Sequence, residues 1–250
     1  MKLHSLFILT KPGACLYSRN ITEDFENIEP NLITPFFSAI FSFSENVISK
    51  KTPEILELGG FRIVFKVEGE HIYAILADTS ANILYVNSRL ASIVQVFKEF
   101  LEENVVEDYE IIRNSEFDAK IDSIMKGQDE LSSSQPLYKK IIDLIKRLTL
   151  ENEIVGAALF TINGMVIFTS LPQDILLSSL KELEIRHIVA SQYSLTFYSL
   201  ENNQKVFSSI IDIPWKLDPL LINVLYESSV PLGMAEVNLE KITRTIQNII

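Results

Sequence analysis

Apolar and polar positions along this chain fall into two blocks that repeat one order of elements. In the first, apolar residues from Lys2 to Thr10 and from Ala14 to Arg19 flank Lys11-Pro12-Gly13. Proline presets φ and glycine supplies the left-handed position, so the pair of segments predicts a hairpin. In "ITPFFSAIFSFSENVIS", Ile33, Phe36, Phe37, Ile40, Phe41, Val47 and Ile48 keep a helical period, with Thr34 as cap and Pro35 in the first turn. "PEILEL", "FRIVFKV" and "HIYAILA" read as three strands. Alternation of Phe61, Ile63, Phe65 and Val67 with Arg62, Val64 and Lys66 predicts a mostly half-buried antiparallel strand. Leu90, Ile93, Val94, Phe97 and Leu101 then mark a long helix, and Phe117, Ile121 and Ile124 a weaker one.

"KGQDELSSSQP" is polar and aperiodic and reads as a boundary. The expected organisation is a first domain over 1–126, a linker over 127–136 and a second domain over 137–250. Leu137, Ile141, Leu144, Ile145 and Leu148 form a leading helix. "EIVGAALFTINGMVIFTS" predicts a hairpin, with Asn163-Gly164 suited to a type I′ turn. Leu176, Leu180 and Leu183 share a helix face; "YSLTFYSL" and "KVFSSIIDI" pair around Asn202-Asn203, and "LLINVLY" is a further strand. The apolar spacing from Leu232 to Ile249 lasts only about two and a half heptads, so docking on the sheet is expected rather than a coiled coil. Aligned on Gly13 and Gly164, "LFIL" answers "AALF" and "CLY" answers "VIF", which makes the hairpin a repeat.

The first block resembles a longin domain: "LFILTKPGACLYSR" is similar to its opening hairpin, "FFSAIFSFSENV" to its first helix, and "LELGGFRIVFKVEGEHIYAILAD" to its strand triplet. The second resembles a roadblock domain, with the leading helix, the "VGAALFTINGMVIFTS" hairpin, and a "PLG" turn into the last helix. The resemblance implies an α+β fold of two profilin-like, longin-type domains, each a five-stranded antiparallel sheet flanked by helices. It also implies pairing through sheet edges and neighbouring helices. Small Ras-like GTPases or further longin and roadblock proteins are the implied partners, in homo- or heterodimers. Tandem arrangements of this kind look similar to archaeal proteins suspected of GTPase regulation. The roles implied are a non-catalytic scaffold or nucleotide exchange factor component or, in a competing reading, a trafficking adaptor that binds cargo or a SNARE-type helix.

Composition narrows the classes. Lys and Arg total 22 against 33 Asp and Glu, a net charge of -11 with pI about 4.8, and no basic cluster is present, which argues against nucleic acid and a polybasic membrane anchor. Hydrophobic content of 47% and a mean hydropathy of +0.20 point to surfaces buried against partners as well as cores. A single cysteine excludes an internal disulfide. The N-terminal apolar run is too short for a signal peptide, and no stretch reaches the roughly 20 apolar residues of a span. A cytoplasmic protein is expected, at the membrane only through partners.

Chemistry is sparse. Cys15 sits among Ala14, Leu16 and Tyr17, where packing is the ordinary role. His4, His71 and His187 lie on separate elements, and Asp174 at a helix start suits the dipole. Neither G-x-x-x-x-G-K-[ST] nor G-x-G-x-x-G occurs. Arg19, Arg62, Arg89, Arg113, Arg147, Arg186 and Arg244 are scattered, and surface ion pairing is the ordinary reading of each. No catalytic, cofactor or metal residues are assigned. The chain does hold more apolar residues than single helix stripes need. Phe43, Tyr138, Ile142, Ile175 and Leu177 stand off-stripe, buried by helices on both sheet faces, by packing of the two domains together, or at a partner. The expected partner surface comprises Phe43, Ile175, Leu177, Tyr193, Leu195 and Phe197, the last three on a strand able to extend the sheet.

Overall fold

The computed structural model describes residues 2–25, 30–48, 52–104, 111–127, 135–189, 196–213 and 219–249. The chain divides into two compact units, Met1–Glu130 and Leu131–Ile250. Most of the segment read as a linker lies outside the described residues.

In the first unit, β1 (Leu3–Thr10) and β2 (Cys15–Asn20) lead to α1 (Pro30–Phe43), which continues into a π turn over Ser44–Ile48. β3 (Ile55–Leu58), β4 (Phe61–Glu68) and β5 (His71–Asp78) precede α2 (Ile83–Glu103) and α3 (Ser115–Lys126). The antiparallel sheet has the order β2-β1-β5-β4-β3. Leu6, Ile8, Val64 and Ile75 pack with Leu90 and Phe97 of α2 and Phe117 of α3. Phe7, Leu9, Ile63 and Phe65 point to the opposite face, against Phe37 and Phe41 of α1. With both faces covered, every residue of β1 is buried.

Two expectations fail here for physical reasons. β4 is not half-buried: Arg62 and Val64 are buried along with Ile63 and Phe65, because α2 and α3 cover the second face. Arg62 stays hydrogen-bonded, its Nε donating to Glu57 Oε1 at 2.8 Å and its Nη1 to the Ala81 carbonyl at 2.9 Å. Thr34 and Pro35 do not start α1 either; the helix begins at Pro30 and both residues lie inside it. The buried Thr34 belongs to the turn that meets the first hairpin, where its carbonyl lies near Gly13.

The second unit opens with α4 (Gln135–Leu150), followed by β6 (Gly156–Thr161), β7 (Val166–Thr169) and α5 (Gln173–Val189). β8 (Thr196–Ser199), β9 (Lys205–Ile211), β10 (Leu220–Tyr226) and α6 (Leu232–Ile249) complete it. Its sheet, β7-β6-β10-β9-β8, repeats the first order position for position. Ile141, Ile145, Leu239 and Ile242 of α4 and α6 share a core with Leu159, Phe207 and Ile222, so the last helix docks on the sheet. The α5 face lies opposite. Its buried side chains are Ile175, Ser179, Leu180, Leu183 and Glu184, while Leu176 is only half-buried, which rotates the stripe from the one expected.

The repeated hairpins agree bond for bond. Gly13 N–H donates to the Thr10 carbonyl and Thr10 N–H to Ala14, and Gly164 and Thr161 do the same with Thr161 and Met165. Thr10 Oγ1 accepts from Ala14 N–H, and Thr161 Oγ1 from Met165 N–H, at 3.1 Å in both. Gly164 has φ 84° whereas Asn163 does not enter the left-handed region, so the turn is a three-residue loop ending in a glycine bulge rather than the expected type I′.

Candidate interaction surface

Between Pro30 and Ser44 the chain has no charged residue, although 22% of the whole is charged. α1 therefore cannot solvate its outer side with Lys or Glu. Its inner side seats Phe37 and Phe41, whose rings stand edge-on to Phe65 at centroid distances of 5.1 and 5.2 Å. On its outer side Leu32, Phe36, Phe43 and Val47 are exposed by 73, 47, 56 and 65%. Steps of four, seven and four, with the exposed Ala39 between, line these residues up along one side. An element apolar all round is ordinarily covered all round. Each such side chain is worth about 1.5–3 kcal/mol on burial, so this stripe favours association.

β3 is the edge strand, opposite β2, of the sheet that α1 covers. Its Leu56 packs against the cluster that holds Phe37 and Phe41, while Ile55 and Leu58 are exposed. Among the described residues β3 pairs with β4 alone, leaving its outer backbone groups available for a further strand. The opposite edge is closed. Ile112 N–H donates to the Leu16 carbonyl of β2 at 2.8 Å, and Arg19 and Tyr17 of β2 bind Asp122 and Asp118 of α3. One edge is sealed, the other is open among the described residues, and the uncharged apolar helix α1 lies across the sheet face between them.

The expected surface residues are placed differently within their own units. Phe43 lies on the α1 stripe. Ile175 is 6% exposed and packs inward from α5, a correction that follows from the rotated stripe; Leu177 is half-buried. Phe197 is 52% exposed but stacks on Phe207 at 5.3 Å, on the sheet face that carries α4 and α6, away from Ile175. Tyr193 and Leu195 lie outside the described residues. The sequence pattern does not single out Leu32, Phe36, Val47, Ile55 and Leu58 as surface residues, and it puts Phe36 and Val47 on the buried stripe. The signal that could have found them is the run without charge, which leaves α1 no solvated face.

The titratable groups have structural explanations. Burial pushes the Cys15 thiol up to about 11, far from a thiolate at neutrality. The Arg19 guanidinium holds Asp122 below its usual range. Burial would raise Asp78, but hydrogen bonds from buried His4 and from Lys2 N–H outweigh it and hold the carboxyl low. A cavity between α2 and α3 is lined by Glu99, Glu103, Glu116 and Lys120 with Val96, Phe100 and Phe117, and its lining has no Ser, Thr, Cys or His. Among the described residues no group of three or more His, Cys, Asp or Glu could hold a metal, and no helix is long and apolar enough to cross a membrane.

No family model matches the chain, and no curated protein matches it. Solved structures do. The gliding protein MglB of Thermus thermophilus is similar at 11% identity and a TM-score of 0.36, over 45% of this chain and 90% of that one. MglB of Myxococcus xanthus is similar at 15% identity and 0.35, over 45% and 88%. A Roadblock/LC7 domain from Streptomyces avermitilis is similar at 14% and 0.33, over 41% and 88%. These are likenesses of fold, each spanning less than half of this chain.

Proposed function

We propose that this protein is a non-catalytic platform that regulates or scaffolds a small Ras-like GTPase, built from a longin-like unit followed by a roadblock-like unit. The exposed α1 stripe, together with the open β3 edge of the same sheet, supports the reading, because covering both with another chain would be favourable. A two-fold pairing of β3 with β3 would extend the sheet, and α1 would close over its counterpart. The partner best suited is a second copy, since two chains of net charge -11 approach most easily where neither presents charge.

The paired platform would regulate by differential affinity: a surface that binds one nucleotide state more tightly shifts the switch toward that state. Preference for the empty form would make it an exchange factor component, preference for the GDP form a regulator that holds the switch off, and preference for the GTP form an effector-like scaffold. No residue is assigned to GTP hydrolysis. Arg62 is buried, and Arg19, Arg186 and Arg244 each bind a carboxylate of their own unit.

The test is retention of small GTPases from the same genome on the immobilised full chain, in GDP, GTP-analogue and nucleotide-free forms, alongside release of a fluorescent GDP. At least about a tenfold difference between states is expected for one of them, equivalent to about 1.4 kcal/mol. Binding indifferent to nucleotide would favour the adaptor reading, and no binding across the panel would overturn the proposal.

A further inference from the structure

The two units differ beneath the helix that follows each hairpin. Aligned on Gly13 and Gly164, Phe7 of β1 corresponds to Ala158 of β6. Phe7 pairs with Ala74 and Ala74 with Phe65, so two phenyl rings flank a small central residue, and Phe37 of α1 packs edge-on against both. In the second unit the matching row is Ala158, Asn223 and Ser208. Ala157, Leu159, Ile222, Val224 and Phe207 around them belong to the core with α4 and α6, so this row faces the α5 side.

The row is polar and enclosed. Asn223 is 2% exposed at the centre of the middle strand, Ser208 is buried beside it, and Asn223 Oδ1 has no hydrogen-bond partner among the described residues. α5 is polar there as well. Ser179 and Glu184 are buried; Ser179 Oγ lies 2.9 Å from Tyr198 Oη of β8, and Glu184 accepts from the exposed Lys181 at 2.9 Å. Hydroxyl, amide and carboxylate groups regain water when such a contact opens, whereas the phenyl contacts under α1 gain nothing from water. The same scaffold thus has a helix locked by aromatic rings in one unit and, in the other, a helix whose apolar contacts through Ile175, Leu180 and Leu183 surround a polar centre.

We propose that α5 is a releasable helix, which lifts from its sheet while α4, α6 and the strands between them stay folded, hydrating Asn223 Oδ1 and baring the Ala158–Asn223–Ser208 row. This conformational device belongs to the second unit and does not depend on the α1–β3 edge. Sub-global opening of this kind is set by how few apolar contacts hold an element.

Hydrogen–deuterium exchange on the full chain tests it. Amides of α5 are expected to exchange at least about tenfold faster than those of α6 in the wild-type protein. Asn223→Leu fills the row with an apolar side chain and is expected to slow α5 about tenfold, with little change in α6. Ser208→Val is the second variant should Asn223→Leu not fold, and the wild-type comparison needs neither. Protection of α5 equal to that of α6, or α5 exchange unmoved by both substitutions, would overturn the proposal.

Discussion

Arg19 of β2 grips Asp122 of α3 with two parallel bonds, Nε to Oδ1 at 2.9 Å and Nη2 to Oδ2 at 2.8 Å. With Tyr17 Oη donating to Asp118 at 2.7 Å, the pair seals one edge of the first sheet, and among the described residues β3 is the edge that pairs on one side alone. Both charged groups are partly exposed, so solvent screens the pair. Arg19→Ala is expected to cost about 1 kcal/mol in urea unfolding, because Asp118 and Asp122 lose the guanidinium that binds both. Asp122 and Asp78 both titrate below the usual carboxylate range. Their contribution is therefore present above the unfolded value, near about pH 4, and is lost as pH falls through the lowered folded values. Circular dichroism from pH 7 downward should show a flatter acid limb for Arg19→Ala than for wild type.

Phe36 and Phe37 are chain neighbours with opposite duties. Phe37 is buried against Phe7 and Phe65, and Phe37→Ala should cost about 3–5 kcal/mol by thermal or urea unfolding. Phe36 is exposed, and Phe36→Asp should change stability by less than about 0.5 kcal/mol while weakening association. Equal losses of stability in the two variants would mean that the outer stripe is packed within its own unit.

How much of this is legible in the sequence depends on the kind of signal. Element order and the repeated hairpin rest on local chemistry: Gly13 and Gly164 both occupy the left-handed turn position that their alignment implies. Burial on both faces of β4 is not legible, because alternation with Arg62 and Lys66 mimics a solvated face when the charged group is buried in an ion pair. The pattern misplaces Ile175 because α5 mixes Ser179 and Glu184 into its inner side, which blurs the period. The α1 stripe is half-visible, through Phe43 alone. Its helix is apolar on both sides, and periodicity cannot separate an inner apolar side from an outer one.

Ionic strength separates the occupants of the stripe. Two copies of a chain with net charge -11 repel one another, so salt should strengthen self-association through an uncharged seam. A basic partner held by opposite charge would be released instead. Sedimentation velocity at low and at about 0.5 M salt reads the direction, with a Debye length near about 4–5 Å at the upper end. Weaker self-association at high salt would point away from α1 as the seam.

The most direct test is the molar mass of the full chain by sedimentation equilibrium, wild type against the double variant Phe36→Asp, Phe43→Asp, with circular dichroism to verify the fold. The account predicts a concentration-dependent dimer for wild type and a folded monomer for the variant. A wild-type chain that stays monomeric throughout, or a dimer that survives both aspartates, would contradict it.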